Sequence, residues 1–168
     1  MIALPVLLVL AIGASILQVG AVPAAFVQPL AAPVLPIALV AGWAAIRRPR
    51  EAWPVPVAAA IVLGAVSEAR VGVFLLALLP ALVIVTLVRL RERRGEGTAL
   101  RRLALAAVAG GAGALCYVLF LSLAGGTGRA LTYAVPALLI GMLWTGLLAT
   151  LVGVALWRVR TSSGGLFA

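Results

Sequence analysis

The sequence contains no histidine and no lysine, a single cysteine, and four acids in 168 residues. Lack of histidine removes the commonest metal ligand and the commonest general base. Intramembrane zinc proteases and rhomboid-type Ser-His proteases are thereby excluded. The lone Cys116 excludes an internal disulfide and a cysteine metal cluster. It lies within an apolar run and reads as a small core residue. The acids are Glu51, Glu68, Glu92 and Glu96, and all but Glu68 sit among arginines in expected loops. A proton-relay chain of buried acids is therefore missing. So are a repeated Asp pair for metal-dependent lipid-phosphate transfer and a glycine-rich phosphate cradle before a helix. No catalytic residue, metal site or cofactor is expected.

Charge of either sign is scarce. Charged residues make up 10% of the chain and hydrophobic ones 65%, with a mean hydropathy of +1.26. A soluble domain carries about 25% charged residues, so this chain could not cover a water-facing surface. Stretches of ~20 apolar residues recur, the length a helix needs to cross the hydrocarbon layer. The short apolar/polar alternation of an outer-membrane barrel is missing. These features predict an all-α integral membrane protein.

The net charge of +9 comes from thirteen arginines. They cluster between apolar runs, which reads as membrane topology rather than a nucleic-acid surface. Six crossings are expected, at about residues 2–22, 33–46, 55–67, 71–90, 103–124 and 131–157, in a single domain over 1–160. A polar cytoplasmic tail, 161–168, follows. Residues 55–90 would make ~54 Å of continuous helix, too long for one crossing. The chain must fold back at its only polar point, "SEAR", giving a short hairpin that either spans or is re-entrant. Pro80 is expected to kink the second arm. Trp43 and Trp53 flank the first basic cluster as interfacial aromatics would. Segment 1 carries Ala11, Ser15 and Gln18 on one face. It lacks the basic start of a cleaved signal peptide, although "AVPAA" has small residues suited to cleavage.

Eleven arginines fall at every second boundary. The basic loops hold Arg47, Arg48, Arg50, Arg91, Arg93, Arg94, Arg101 and Arg102, and Arg70 and Arg129 lie at the opposite boundaries. The positive-inside rule then places both termini in the cytoplasm. Within the spans, Gly141, Thr145, Ala149 and Gly153 recur at four-residue intervals, as do Ala106, Gly110 and Ala114. Such stripes let helices approach closely in lipid. They serve either packing within this bundle or docking of a partner helix. Around "GAVSEARVG", the extracytoplasmic turn carries Gly64, Glu68, Arg70 and Gly72, where an ion pair would be hydrated.

The order of these features resembles the rod shape-determining protein MreD family. "ILQ" (16–18) precedes a proline-containing connection, and "PVLPIALVAGWAAIRRP" (33–49) follows. "LGAVSEARVGVFLLALLPALVIVTLVR" (63–89) and "LLIGMLWTGLLATLVGVALWRVR" (138–160) complete the pattern. Gly64, Glu68 and Gly72 fall on the family's glycine, acid and glycine positions, with Glu68 where aspartate is usual. The resemblance implies a non-enzymatic scaffold of cell-wall elongation in the bacterial cytoplasmic membrane. Its implied partners are membrane lipid, an MreC-like single-span protein, and a RodA-type glycosyltransferase with its transpeptidase and MreB. A homodimer is a further expectation, and nucleic acid is not expected as a partner. The family is similar in fold to the substrate-binding subunits of energy-coupling-factor vitamin transporters. That likeness supplies the alternative function, which requires a polar, aromatic-lined pocket at the extracytoplasmic ends of the helices.

Overall fold

The computed structural model describes residues 3–26, 28–67, 70–91, 98–125 and 135–162. All regular structure among them is helical. In chain order the helices are α1 (Ala3–Val19), α2 (Ala21–Ala25), α3 (Leu35–Ile46), α4 (Pro49–Ala52), α5 (Pro54–Val66), α6 (Val71–Arg91), α7 (Ala99–Ala124) and α8 (Val135–Ser162), with a 3-10 turn at Pro29–Ala31 between α2 and α3. Six of these have twelve or more residues, the number expected from the sequence.

The six differ in kind. Helices α6, α7 and α8 are long and apolar enough to cross a membrane. At 1.5 Å per residue, α6 is ~31 Å long, and α7 and α8 are longer. Helix α3 is only 12 residues, ~18 Å, a length more typical of a buried core helix than of a crossing. Every residue from Pro36 to Ile46 is buried. A helix apolar on all faces belongs inside a larger assembly, and α3 is packed by α1, α5, α6, α7 and α8. It is the axis of the protein, and the other long helices form its jacket.

Two close approaches make this possible. A Cβ on Gly42 of α3 would lie 2.6 Å from the Ala149 carbonyl oxygen and 2.8 Å from the Val152 side chain on α8. A Cβ on Gly110 of α7 would lie 2.9 Å from Ala149 Cβ and 3.1 Å from the Thr145 carbonyl oxygen. Without hydrophobic drive between helices in lipid, such backbone proximity is what dispersion and packing require. Ala149 therefore sits where α3, α7 and α8 meet, and it is fully buried.

Several element boundaries and side-chain positions differ from the sequence expectations, each for a local reason. Segment 1 is divided at Gly20 into α1 and α2. Helix α7 starts at Ala99 rather than near 103, because the Thr98 hydroxyl accepts a hydrogen bond from the Arg101 N–H at 3.3 Å. That is an N-cap, and the Ala-Leu-Arg-Arg that follows consists of good helix formers. Helix α8 runs to Ser162, past the expected end at 157, since "RVRTS" carries no breaker. Trp43 does not face outward. It is buried with the core, and the Arg47 guanidinium carbon lies 5.9 Å from its ring centroid, a cation–π arrangement. Trp53 is half-exposed.

Candidate functional site

The first backbone N–H groups of a helix have no partner within it. In α3 they are also buried, where an unsatisfied N–H costs several kcal/mol in lipid. The Val34–Leu35 start offers no side-chain acceptor of its own. Two other helices supply one. The Val34 N–H donates to the Thr145 hydroxyl of α8 at 3.0 Å. The Leu35 N–H donates to the Gln18 Oε1 of α1 at 2.8 Å. The Thr145 hydroxyl is itself oriented by donating to the Gly141 carbonyl at 2.7 Å, which leaves its lone pairs toward Val34. Pro33 and Pro36 have no N–H and need no partner.

The opposite end of α3 is capped in trans as well. Arg89 of α6 donates from Nη1 to the Ala45 carbonyl at 2.7 Å. A cation at a helix C-terminus is favourable to the macrodipole, and Arg47 stands at the same end.

The small-residue stripes turn inward. Thr145 and Ala149 are fully buried, and Ala106 and Ala114 are likewise in the core. Gly141 is buried against the Leu30 and Ala32 carbonyls of the connection before α3, and Gly153 against Leu103 of α7 and Ile46 of α3. Both stripes are thus occupied by this chain's own helices. The outward face of α8 instead presents Leu139, Leu143, Leu147 and Leu151 at four-residue spacing, each at least half exposed.

The turn between α5 and α6 is asymmetric. A Cβ on Gly64 would lie 2.5 Å from Val71 Cγ2 and 2.9 Å from Val71 Cα, whereas one on Gly72 would meet nothing within 4 Å. Gly64 therefore permits the two arms to close, and Gly72 does not share that role. Arg70 is exposed. Glu68, the acid of this motif, lies outside the described residues, as do Arg93, Arg94 and Arg129 of the basic and linking loops, Tyr133, and the tail beyond 162.

Eight arginines with described side chains gather at the other end of the bundle: Arg47, Arg48, Arg50, Arg89, Arg91, Arg101, Arg102 and Arg158. The Arg89–Ala45 bond joins the ends of α6 and α3. Gly153, flanked by Leu103 and Ile46, joins α8, α7 and α3 there.

One cleft of about 260 Å³ opens beside the start of α3, lined by residues that include Gln18, Val34, Tyr117, Leu121 and Ser122. Tyr117 is 9% exposed, and its ring lies 6.4 Å from that of Phe74. The sequence places Gln18 and Tyr117 in separate apolar segments. Their meeting here could not be read from it, because they lie on helices far apart in the chain. Among the described residues no group of three or more histidine, cysteine or acidic side chains is placed to hold a metal ion. Comparison with family models, with curated proteins and with solved structures gives no match for this chain.

Proposed function

We propose that this protein is a non-enzymatic membrane scaffold of the MreD type, acting in bacterial cell-wall elongation with an MreC-like single-span partner. In this reading it lies in the cytoplasmic membrane with both termini inside, and helps couple a RodA-type glycosyltransferase, its transpeptidase and MreB to cell shape. The observation that carries the reading is how the internal polar groups are used. Thr145 and Gln18 bond the start of α3, and Arg89 bonds its end. The buried Ser15 hydroxyl bonds the Ala11 carbonyl. These side chains lock a body together, as a docking platform requires. The family resemblance at Gly64, Glu68 and Gly72 supplies the biological context.

Co-expression with a tagged MreC-like single-span protein tests this directly. Stable co-purification is expected, and it should weaken when Glu68→Ala and Arg70→Ala are combined. A chain that purifies alone in every such pairing would remove the scaffold reading.

A second reading, the binding subunit of an energy-coupling-factor type vitamin transporter, is favoured by the cleft at Gln18, Tyr117 and Ser122. Ligand pockets usually measure about 300–1,000 Å³, and this one falls below that range, which keeps the reading second. Nanomolar binding of a vitamin by the purified chain would reverse the order.

A further inference from the structure

The arginine-rich end carries more positive charge than the chain itself neutralises. Glu51 is the one acid there among the described residues, and its Oε2 is buried without a hydrogen-bond partner. Arg89 and Arg47 serve the end of α3. Arg48 and Arg50 are exposed on either side of Pro49, and Arg91 is exposed at the end of α6. Arg102 differs from these exposed three. It is half-buried, and its Nε is sheathed by protein with no hydrogen-bond partner. A guanidinium fixed by its stem loses less rotational freedom when it binds than a free side chain does. Two tryptophans, Trp53 and Trp157, stand half-exposed at this end, and such aromatics settle at headgroup level.

We propose that this end is a binding surface for an anionic phospholipid, with Arg102 anchoring the headgroup phosphate and Arg48 and Arg50 adding field. Guanidinium and phosphate match geometrically as paired N–H donors and oxygens. The apolar flanks of α6, α7 and α8 below would receive the acyl chains. The surface is independent of any protein partner, so it stands or falls separately from the scaffold reading.

The test titrates the detergent-solubilised full chain with phosphatidylglycerol, phosphatidylcholine or inorganic phosphate, following the unfolding temperature and lipid adducts by native mass spectrometry. Phosphatidylglycerol should stabilise the chain and remain bound, and phosphatidylcholine should do neither. Each arginine near an anionic surface contributes about fivefold in affinity. Arg102→Gln should therefore lower the preference about fivefold, and the triple variant with Arg48→Gln and Arg50→Gln about 100-fold. Arg102→Lys should retain part of it, and Arg70→Gln, at the other end, all of it. Equal responses to the two lipids in the unmodified chain would overturn the proposal, whatever the variants do. So would inorganic phosphate reproducing the phosphatidylglycerol effect, or Arg70→Gln losing as much as Arg102→Gln.

Discussion

The Thr145 hydroxyl of α8 caps the Val34 N–H of the central helix at 3.0 Å across 111 residues of sequence. Thr145→Val keeps the shape and removes the acceptor, leaving a buried N–H unpaired. The expected loss is about 1–3 kcal/mol of stability. Thr145→Ser keeps the hydroxyl and should recover most of it. Unfolding in mild detergent distinguishes the two, and equal stability of the Val and Ser variants would mean that the cap carries no weight.

Gly64 and Gly72 flank the same turn but should respond oppositely to alanine. Gly64→Ala drives a Cβ into Val71, including its Cα at 2.9 Å. Overpacking against backbone costs about 1–3 kcal/mol. Gly72→Ala enters open space in the first turn of α6, and alanine is the better helix former by up to about 1 kcal/mol. The first variant should be destabilised and the second unchanged or slightly stabilised. The same unfolding measurement reads both, and a matching loss in the two would refute the asymmetry.

The helical membrane character was legible because composition and run length carry it directly. So was the fold-back near "SEAR": helix length forbids a single crossing, and α5 ends at Val66 while α6 starts at Val71. The role of α3 was not legible. Residues 33–46 look like a short crossing by hydropathy alone, and only the neighbours reveal that all its faces are covered. The trans caps were hidden for the same reason. Gln18 and Thr145 look like ordinary packing residues until the start of α3 is placed between them. The stripe of Gly141, Thr145, Ala149 and Gly153 identified the right residues, but spacing cannot say which helix they face. Gly42 escaped notice because it pairs at four-residue spacing with Ala38 alone, too short a run to stand out as a stripe, though it makes one of the tightest contacts.

Arg89 reaches back to the Ala45 carbonyl at 2.7 Å, tying α6 to the end of α3. A hydrogen bond from a charged donor is worth about 1.5–3 kcal/mol. Arg89→Met keeps much of the apolar stem and removes the donor, so a loss in that range is expected. Arg89→Lys should recover part of it through charge at the helix end. If Met and Lys variants unfold alike, the contribution of Arg89 is stem packing rather than capping.

The inward turn of both small-residue stripes predicts how stability and partner assembly separate. Gly110→Val places new atoms against Ala149 and the Thr145 carbonyl, so the chain alone should lose about 1–3 kcal/mol, with no partner present. Leu143→Ala on the outward face of α8 creates no internal cavity, since Leu143 is 74% exposed. Its stability in detergent should stay within about 0.5 kcal/mol of the parent. Any effect of Leu143→Ala would then appear only as weaker retention of a co-expressed single-span protein. A Gly110→Val chain that is as stable as the parent but fails to retain that protein would show the reverse: the stripe would be a docking face, and the packing of α7 on α8 through Gly110 and Ala149 would not be what holds the body together.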